Sequence, residues 1–250
     1  DAHIGNFRAF LGADLLRRFI ESPLCRVTAA DGSVHDPVQS GPRSVVHVMN
    51  ITDVGHMTDD SAADGGGEDK MAVAGQRIAE SKKQGKIPED AQVDTGDPRA
   101  IAAFFAGRFR EDAVRLGLKV ASEAEKDASL MPLASASVDG MRAVIGRLLE
   151  NGSAYTAGEP GSRAVYFDVR TYEAYGELSG NTLEKLRGGA GGRVSEANQS
   201  AKRHPADFML WKEDASHLMK WPAPESPETK GWDEGYPGWH IECTAMSLAR

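Results

Sequence analysis

Apolar residues recur at three- and four-residue steps in three stretches of the chain, and each stretch predicts an amphipathic helix. The first covers residues 4–20 and ends at Ser22-Pro23. The second begins at Asp97-Pro98, because proline fits the first turn of a helix. The third runs over residues 137–151 and ends at Gly152. The apolar positions are Ile4, Phe7, Phe10, Leu11, Leu15 and Phe19 in the first helix, Ile101, Phe105, Phe109, Ala113 and Leu116 in the second, and Val138, Met141, Ile145, Leu148 and Leu149 in the third.

Two shorter stretches predict β-strands. Residues 44–51 (SVVHVMNI) form a β-branched apolar run, which is typical of a strand buried on both faces of a parallel sheet. Residues 165–169 (VYFDV) alternate like a strand with one side in solvent. The acidic, glycine-rich residues 58–69 and the GGAGG at residues 188–192 predict surface loops. The order helix, buried strand, helix predicts the α/β class with a parallel sheet, and the middle of the chain favours a separate α+β insert.

Composition narrows the class of protein further. The 250 residues are 40% hydrophobic and 26% charged, which is ordinary for a soluble globular protein. The net charge of −8 argues against binding nucleic acid through overall basic charge, although it permits a local basic patch. Two cysteines cannot form a disulfide framework, so we expect a reducing compartment, the cytoplasm. No apolar run approaches the roughly 20 residues of a membrane span. The chain begins at Asp1 without an initiator methionine, and we expect an internal fragment.

The first candidate for chemistry is the start of the first predicted helix. His3 and Asn6 are three residues apart and therefore share one helix face, and Gly5 lets another group approach the backbone closely. The positive end of a helix dipole suits a phosphate group. The alternative is that the histidine and asparagine simply cap the helix.

The second candidate is Asn50-Ile51-Thr52-Asp53, which follows the predicted buried strand. Ligands of open α/β sheets bind at the carboxyl ends of strands, so these polar groups fit a binding site. The alternative is a turn in which the asparagine and aspartate side chains bond to their own backbone.

The third candidate is the stretch Gly238-Trp239-His240-Ile241-Glu242-Cys243. Cysteine and histidine are zinc ligands, but two donors from one short segment do not make a four-ligand site. The alternative is that Cys243 packs as a small hydrophobic residue. Cys25 has no histidine or acid arranged around it and is interpreted as structural. The acidic residues 59–69 do not have the spacing of a calcium-binding EF-hand loop, which favours a solvated surface.

Taken in order along the chain, these clusters resemble the cysteinyl-tRNA synthetase family of class I aminoacyl-tRNA synthetases. Residues 2–6 (AHIGN) are similar to that family's nucleotide-binding signature, and residues 50–54 (NITDV) to its NITD motif. Residues 202–212 (KRHPADFMLWK) resemble its DF-x-LWK segment, and residues 237–246 (PGWHIECTAM) resemble its GWHIECSAM segment. The resemblance covers nearly the whole chain, because residues 151–155, 166–169 and 175–180 also follow the family pattern.

The resemblance implies a Rossmann-type catalytic domain with a parallel sheet, interrupted by an α+β connective insertion. The first part of the catalytic domain would occupy residues 1–118, the insertion residues 119–206, and the truncated start of the second part residues 207–250. It implies a cytoplasmic monomer that carries out two reactions. Cysteine and ATP give cysteinyl-adenylate and pyrophosphate, and the cysteine then passes to the 3′-terminal adenosine of tRNA(Cys).

The same resemblance implies the ATP site. His3, Gly5 and Asn6 would bind ATP, which is used together with magnesium. His3 and Asn6 would be catalytic, because they would stabilise the negative charge that builds up on the phosphates.

The resemblance also implies the cysteine site. Thr52, Trp239 and His240 match positions that line the family's cysteine pocket. In the family, zinc held by two cysteines, a histidine and a glutamate binds the substrate thiolate, and Cys243 matches one of these ligands. A thiolate binds zinc far better than the protonated hydroxyl of serine does, which explains selectivity without proofreading.

Several departures from the family pattern limit what we expect of the chain alone. The family's first zinc cysteine precedes the position of Asp1, and its other two ligands and its KMSKS loop follow the position of Arg250. We therefore expect this fragment to be inactive and to hold zinc weakly. Residues 55–67 split the usual NITDxDDK run, which weakens the case for a role of Lys70. Residues 131–138 (MPLASASV) lack that segment's usual polar groups, and residues 232–235 vary a common turn.

Two other functions compete with this one. A related ligase activates cysteine by the same adenylation but transfers it to an amino sugar in mycothiol synthesis. The third hypothesis is a non-catalytic paralogue that only binds nucleotide or RNA. The motifs at His3, Thr52 and residues 238–243 argue against the paralogue, and a C-terminal anticodon-binding domain would exclude the mycothiol type.

Overall fold

Seven helices and eight strands occur in the part of the chain that the structure, a computed structural model, describes: residues 4–59, 66–87, 91, 93–177, 180 and 201–249. The helices are α1 (Ile4–Ile20), α2 (Pro37–Ser40), α3 (Lys70–Lys83), α4 (Pro98–Arg115), α5 (Lys119–Ala124), α6 (Val138–Glu150) and α7 (Trp239–Leu248). The strands are β1 (Val27–Thr28), β2 (Val34–His35), β3 (Met57–Asp59), β4 (Gly66–Asp69), β5 (Ala154–Ala157), β6 (Ala164–Phe167), β7 (Phe208–Glu213) and β8 (Gly235–Pro237). The loop predicted at residues 188–192 lies outside the described residues.

The three predicted helices are confirmed as α1, α4 and α6. The apolar face of α6 is buried at Val138, Met141, Ile145 and Leu149, as its spacing predicts. The apolar face of α1 is less completely buried. Among its predicted core residues only Phe7 is buried, whereas Ile4, Leu15 and Phe19 are exposed. Periodicity therefore predicted these helices, but not how much of each apolar face is covered.

The helices α3 and α7 are not predicted by the apolar pattern. A side-chain cap starts α3, where the Asp69 carboxylate accepts a hydrogen bond from the Met71 backbone N–H at 2.7 Å. Polar residues dominate the rest of α3, and only Gly75 and Ile78 are buried. The ten residues of α7 are too few for the three- and four-residue repeat to stand out.

The predicted parallel sheet is wrong for the described residues, in which every strand ladder is antiparallel. Two small sheets pair β1 with β2 and β3 with β4, and a larger sheet has the order β5-β6-β7-β8. The register of the larger sheet places Ala154 opposite Phe167, Ala164 opposite Lys212, and Trp211 opposite Pro237. The described chain is a mixed helix and sheet protein, as predicted, but with a different strand arrangement.

Residues 44–50, the core of the run predicted as a buried parallel strand, lie in no strand. The backbone is nevertheless hydrogen-bonded, because the N–H groups of Met49 and Ile51 donate to the carbonyls of Leu130 and Pro132 at 2.9 Å. Met49 is buried, but Val46 is 71% exposed, so the run is not covered on both sides. A β-branched run favours an extended backbone, but it does not determine which segment pairs with it.

Two smaller predictions also need correction. The strand predicted at residues 165–169 is β6, which ends at Phe167, and Ala164, Val165 and Tyr166 are all buried, so neither face of it is open. Val165 belongs to the main core, whereas Ala164 and Tyr166 pack in a separate cluster with Tyr155, which explains why both sides are covered. The loop predicted at residues 58–69 contains the paired strands β3 and β4, while residues 60–65 lie outside the described part.

The chain divides into two compact units, each with its own core. One unit consists of residues 1–51 and 105–132. In its core the ring of Phe7 stacks on Phe109 with centroids 5.1 Å apart. The Arg17 guanidinium donates to both oxygens of Glu123 at 2.7 and 2.9 Å, which ties α1 to α5. The buried core residues are Phe7, Met49, Ala113, Leu118, Val120, Ala121 and Met131.

The other unit consists of residues 52–104 and 133–250. Its main core lies between α6, α7 and the four-stranded sheet, with Trp211 of β7 fully buried. The core residues are Val54, Ala134, Val138, Met141, Ile145, Leu149, Ala154, Val165, Leu210, Trp211, Ile241, Ala245 and Met246. The predicted division at residues 118 and 206 concerns the family's domain organisation and stays a prediction.

A buried ion pair lies at one end of the larger sheet, where β7 ends. The Glu213 carboxylate at the end of β7 is completely buried, and it accepts two hydrogen bonds from Arg163, at 2.7 and 2.5 Å. The backbone N–H groups of Gly161 and Asp233 donate to it as well, at 2.9 and 2.8 Å. The guanidinium of Arg163 is the main reason why the pKa of Glu213 falls to about 2.

We expect this pair to make stability depend on acid pH. Because the pKa of Glu213 is lower in the folded than in the unfolded chain, its stabilisation is complete above about pH 4.5 and is lost as the pH falls towards 2. Glu213→Gln should therefore lower the free energy of unfolding by about 3 kcal/mol at pH 7, and by about half as much at pH 3. Urea unfolding at both pH values measures this. Glu234→Gln is the control, since Glu234 is 52% exposed and lies 3.7 Å from Lys220; equal losses at both pH values for Glu213→Gln would contradict the prediction.

Candidate active site

The segment of residues 52–56 is held by three different contacts. The Asp53 carboxylate accepts hydrogen bonds from the backbone N–H of Ser135 at 2.7 Å and from its hydroxyl at 2.5 Å, just before α6. Val54 is 1% exposed and belongs to the main core. The alternative that Asp53 bonds to its own backbone in a turn is therefore not what the structure shows.

The third contact is made by a buried histidine. Nε2 of His217 lies 2.8 Å from the Gly55 carbonyl oxygen, and Nδ1 lies 2.6 Å from that of Met219. The ring also stacks on Tyr236, with centroids 4.0 Å apart. These contacts fix the backbone between Thr52 and His56.

The GWHIEC stretch forms the N-terminal part of α7. Gly238 caps this helix, and its N–H donates to the carbonyl of Leu210 at 2.8 Å. An added Cβ at Gly238 would overlap the carbonyl of Met209, so the close approach of α7 to β7 requires glycine here. The buried side of the helix carries Ile241 and Glu242, and the remaining buried positions are Ala245 and Met246.

The predicted pocket residues on α7 face outwards. Trp239 is 62% exposed, and His240 and Cys243 are exposed as well. The His240 ring packs on Phe208 of β7, with centroids 4.6 Å apart. Partial removal of water around this ring lowers the pKa of His240, and the positive charge of Lys202 lowers it further. His240 is thus held as a neutral, aromatic surface group at neutral pH.

A buried carboxylate joins α7 to the 52–56 segment. The Glu242 side chain is completely buried, and its Oε1 lies 2.8 Å from Nε2 of His56. The orientation is not that of a hydrogen bond, so neither oxygen of Glu242 has a hydrogen-bond partner among the described residues. Burial raises the pKa of Glu242. The His56 ring in turn lies 5.8 Å from the ring of Trp239.

Cys243 offers one free thiol for a metal ion. It is exposed and forms no disulfide. Among the residues that the structure describes, no three of the possible donors histidine, cysteine, aspartate and glutamate are grouped to hold a metal ion. Zinc needs four donors, so the described residues do not complete a zinc site by themselves. Cys25, by contrast, is buried in the other unit, which fits its interpretation as structural.

Two of the three predicted ATP-binding residues lie at the start of α1. Gly5 and Asn6 belong to its first turn and are exposed, while His3 lies outside the described residues. Their unit is the one built from residues 1–51 and 105–132, whereas Thr52 and residues 239–243 belong to the other. The structure therefore brings the four predicted cysteine-site residues into one unit.

A hydrogen-bond network accounts for the burial of Asp207, the aspartate of the DFMLWK stretch. The buried Asp207 carboxylate accepts hydrogen bonds from the Tyr155 hydroxyl at 2.7 Å and from the backbone N–H groups of Val169 and His204. The Tyr155 hydroxyl itself accepts from the N–H of Arg203. This network fixes the start of β7 and thereby the strand on which α7 packs.

Our sequence reasoning missed His56 and Glu242 as parts of the site. The burial of Glu242 could have been predicted from the sequence, because Glu242 lies next to Ile241 and three residues before Ala245, on the apolar side of α7. A glutamate at such a position is rarely buried without a reason. His56 carried no signal, since its contact with Glu242 depends on the tertiary fold.

The chain belongs to the family of tRNA synthetases class I (C) catalytic domain, whose model it matches over residues 38–250. It is similar to the cysteine–tRNA ligase of Chlorobaculum tepidum, with 35% identity over 99% of this chain and 40% of that protein. The enzymes of the same name from Salinibacter ruber and Thermus thermophilus are 38% and 35% identical, again over 99% of this chain, and it covers 38% and 40% of them. The chain thus spans about two-fifths of the length of these relatives.

No helix among the described residues is both long enough and apolar enough to cross a membrane.

Proposed function

We propose that this chain is part of a cysteine–tRNA ligase, an enzyme that activates cysteine with ATP and transfers it to tRNA(Cys). The single observation that carries the proposal is the similarity over 99% of the chain to proteins named cysteine–tRNA ligase. A Rossmann-type domain, interrupted by a connective insertion at residues 119–206, is consistent with this family. The enzyme acts in the cytoplasm, where proteins are synthesised, and works as a monomer.

Thr52, Trp239 and His240 form the cysteine pocket in this proposal. The anchored segment of residues 52–56 and the N-terminal part of α7 lie in one unit and meet where His56 approaches Glu242. An exposed tryptophan offers an apolar surface for a small substrate. Rigid anchoring supports the proposal, because a binding group must be held to a fraction of an ångström.

His3, Gly5 and Asn6 bind ATP, including its magnesium-bound phosphates. Gly5 and Asn6 lie at the start of α1. The cysteine carboxylate attacks the α-phosphorus, and pyrophosphate leaves. Negative charge grows on the phosphoryl oxygens during this step, and the positive end of the α1 dipole together with the Asn6 amide stabilises it. The exposure of Gly5 and Asn6 supports this role.

Cys243 is the zinc ligand that this chain supplies. Its thiol is free and exposed, which fits a donor that is completed by ligands from elsewhere in a longer protein. Zinc, when bound, holds the substrate as a thiolate and so selects cysteine over serine.

The proposed function predicts cysteine-dependent exchange of pyrophosphate into ATP. The full-length protein should catalyse this exchange with cysteine and give little signal with serine, and it should then charge tRNA(Cys). Radiolabelled pyrophosphate measures the first step, and acid-stable charging of tRNA measures the second. Exchange without cysteine, or equal exchange with serine, contradicts the proposal. Exchange without charging of tRNA, but with transfer to an amino sugar, would identify the mycothiol type instead.

A further inference from the structure

The buried carboxylate of Glu242 takes no part in the steps of the proposed function. It is fully buried, its Oε1 lies 2.8 Å from Nε2 of His56, and it accepts no aligned hydrogen bond among the described residues. A buried, unsatisfied carboxylate costs stability. A positive charge placed beside such a carboxylate offsets this cost.

The only cation-capable side chain in contact with Glu242, among the described residues, is His56. Nε2 of His56 is buried against Glu242, yet 19% of the His56 side chain is exposed. The exposed fraction therefore belongs to the rest of the side chain, whose ring lies beside the exposed Trp239. His56 also belongs to the anchored segment that carries Thr52, and its contact with Trp239 places its ring beside the proposed cysteine pocket.

We propose that His56 binds the α-ammonium group of the amino acid substrate and that Glu242 is the positioning residue that orients it. A small rotation of the ring turns the Nε2–H towards Glu242, and the lone pair on Nδ1 then faces the pocket as an acceptor. The pair of neutral histidine and carboxylate carries one negative charge, which attracts an ammonium group. This inference rests on the proposed function, because it places the substrate beside Trp239.

Substrate analogues separate this role from a structural one. Cysteine and cysteamine carry the ammonium group, whereas 3-mercaptopropionate has the thiol and carboxylate without it. We expect His56→Ala and Glu242→Gln in the full-length protein to weaken binding of cysteine and cysteamine by roughly tenfold or more. Binding of 3-mercaptopropionate should not change. Calorimetry measures all three dissociation constants.

Stability gives the second readout. Glutamine has the shape of glutamate without its charge, so Glu242→Gln should fold and should melt at the same temperature or higher. His35→Gln serves as the control, because His35 lies in the other unit and contacts the Gly41 carbonyl. Equal weakening of all three ligands, or of none, overturns the inference. If the wild-type protein shows no cysteine-dependent exchange of pyrophosphate, the proposed function is wrong instead. Failure of the inference and failure of the proposed function are therefore distinguishable.

Discussion

Cys243→Ser in the full-length protein should lower the bound zinc far below one equivalent and abolish cysteine activation. A serine hydroxyl stays protonated and is a harder donor than a thiolate, so one of the four zinc ligands is lost. Selection of cysteine over serine should disappear together with the metal, since size alone separates such similar substrates by only about 1–3 kcal/mol. Metal analysis of the purified protein measures the zinc directly.

Cys25→Ser is the matched control for this experiment. Cys25 is the only other cysteine in the sequence, and it is 6% exposed. Its replacement should leave the zinc content unchanged and cost a modest amount of stability, because a buried thiol becomes a polar hydroxyl. If Cys243→Ser also keeps its full zinc content, Cys243 is a packing residue and the proposed metal role is wrong.

Asn6→Ala should slow adenylate formation by roughly a hundredfold, while the cysteine concentration for half-maximal rate stays nearly the same. The reason is that a contact made to the phosphates as charge develops acts on the transition state and not on cysteine binding. Asn6 is exposed in the first turn of α1, so the fold should be unaffected. We expect the same result for His3→Ala.

Arg8→Ala is the control on the same helix. Arg8 is exposed and follows Asn6 by two positions, which places it about 200° around the helix axis, on the other side. It should exchange pyrophosphate at the wild-type rate. Normal turnover of Asn6→Ala with only a raised requirement for cysteine would show that Asn6 belongs to a different subsite. Single-turnover measurement of adenylate formation distinguishes these results.

The sequence predicted which segments form helices better than it predicted which strands pair with each other. Helices α1, α4 and α6 follow from the spacing of their apolar residues, because a helix is closed by bonds within itself. The segment at residues 44–51 was predicted to be a buried parallel strand, but residues 44–50 lie in no strand, and Met49 and Ile51 bond to Leu130 and Pro132 instead. Strand partners are chosen by the whole fold, and hydrophobic pattern alone does not encode them.

The candidate site shows the same division. Its motif residues Thr52, Trp239, His240 and Cys243 could be located from the sequence, since the family resemblance rests on them. The contacts that hold these residues in place could not be predicted from the sequence. Asp53 with Ser135, Gly55 with His217, and His56 with Glu242 each join parts of the chain that are far apart in sequence.

The contact between His217 and Gly55 also determines when the site can form during synthesis. The two residues are 162 positions apart, so Gly55 leaves the ribosome long before its partner exists. At a translation rate of roughly 5–20 residues per second, the wait lasts about ten to thirty seconds. During that interval the segment that carries Thr52 has neither the histidine that fixes its backbone nor the helix α7 that adjoins it. The segment of residues 52–56 is therefore among the last parts of this chain to become ordered, and the proposed cysteine pocket cannot be complete until α7 has been made.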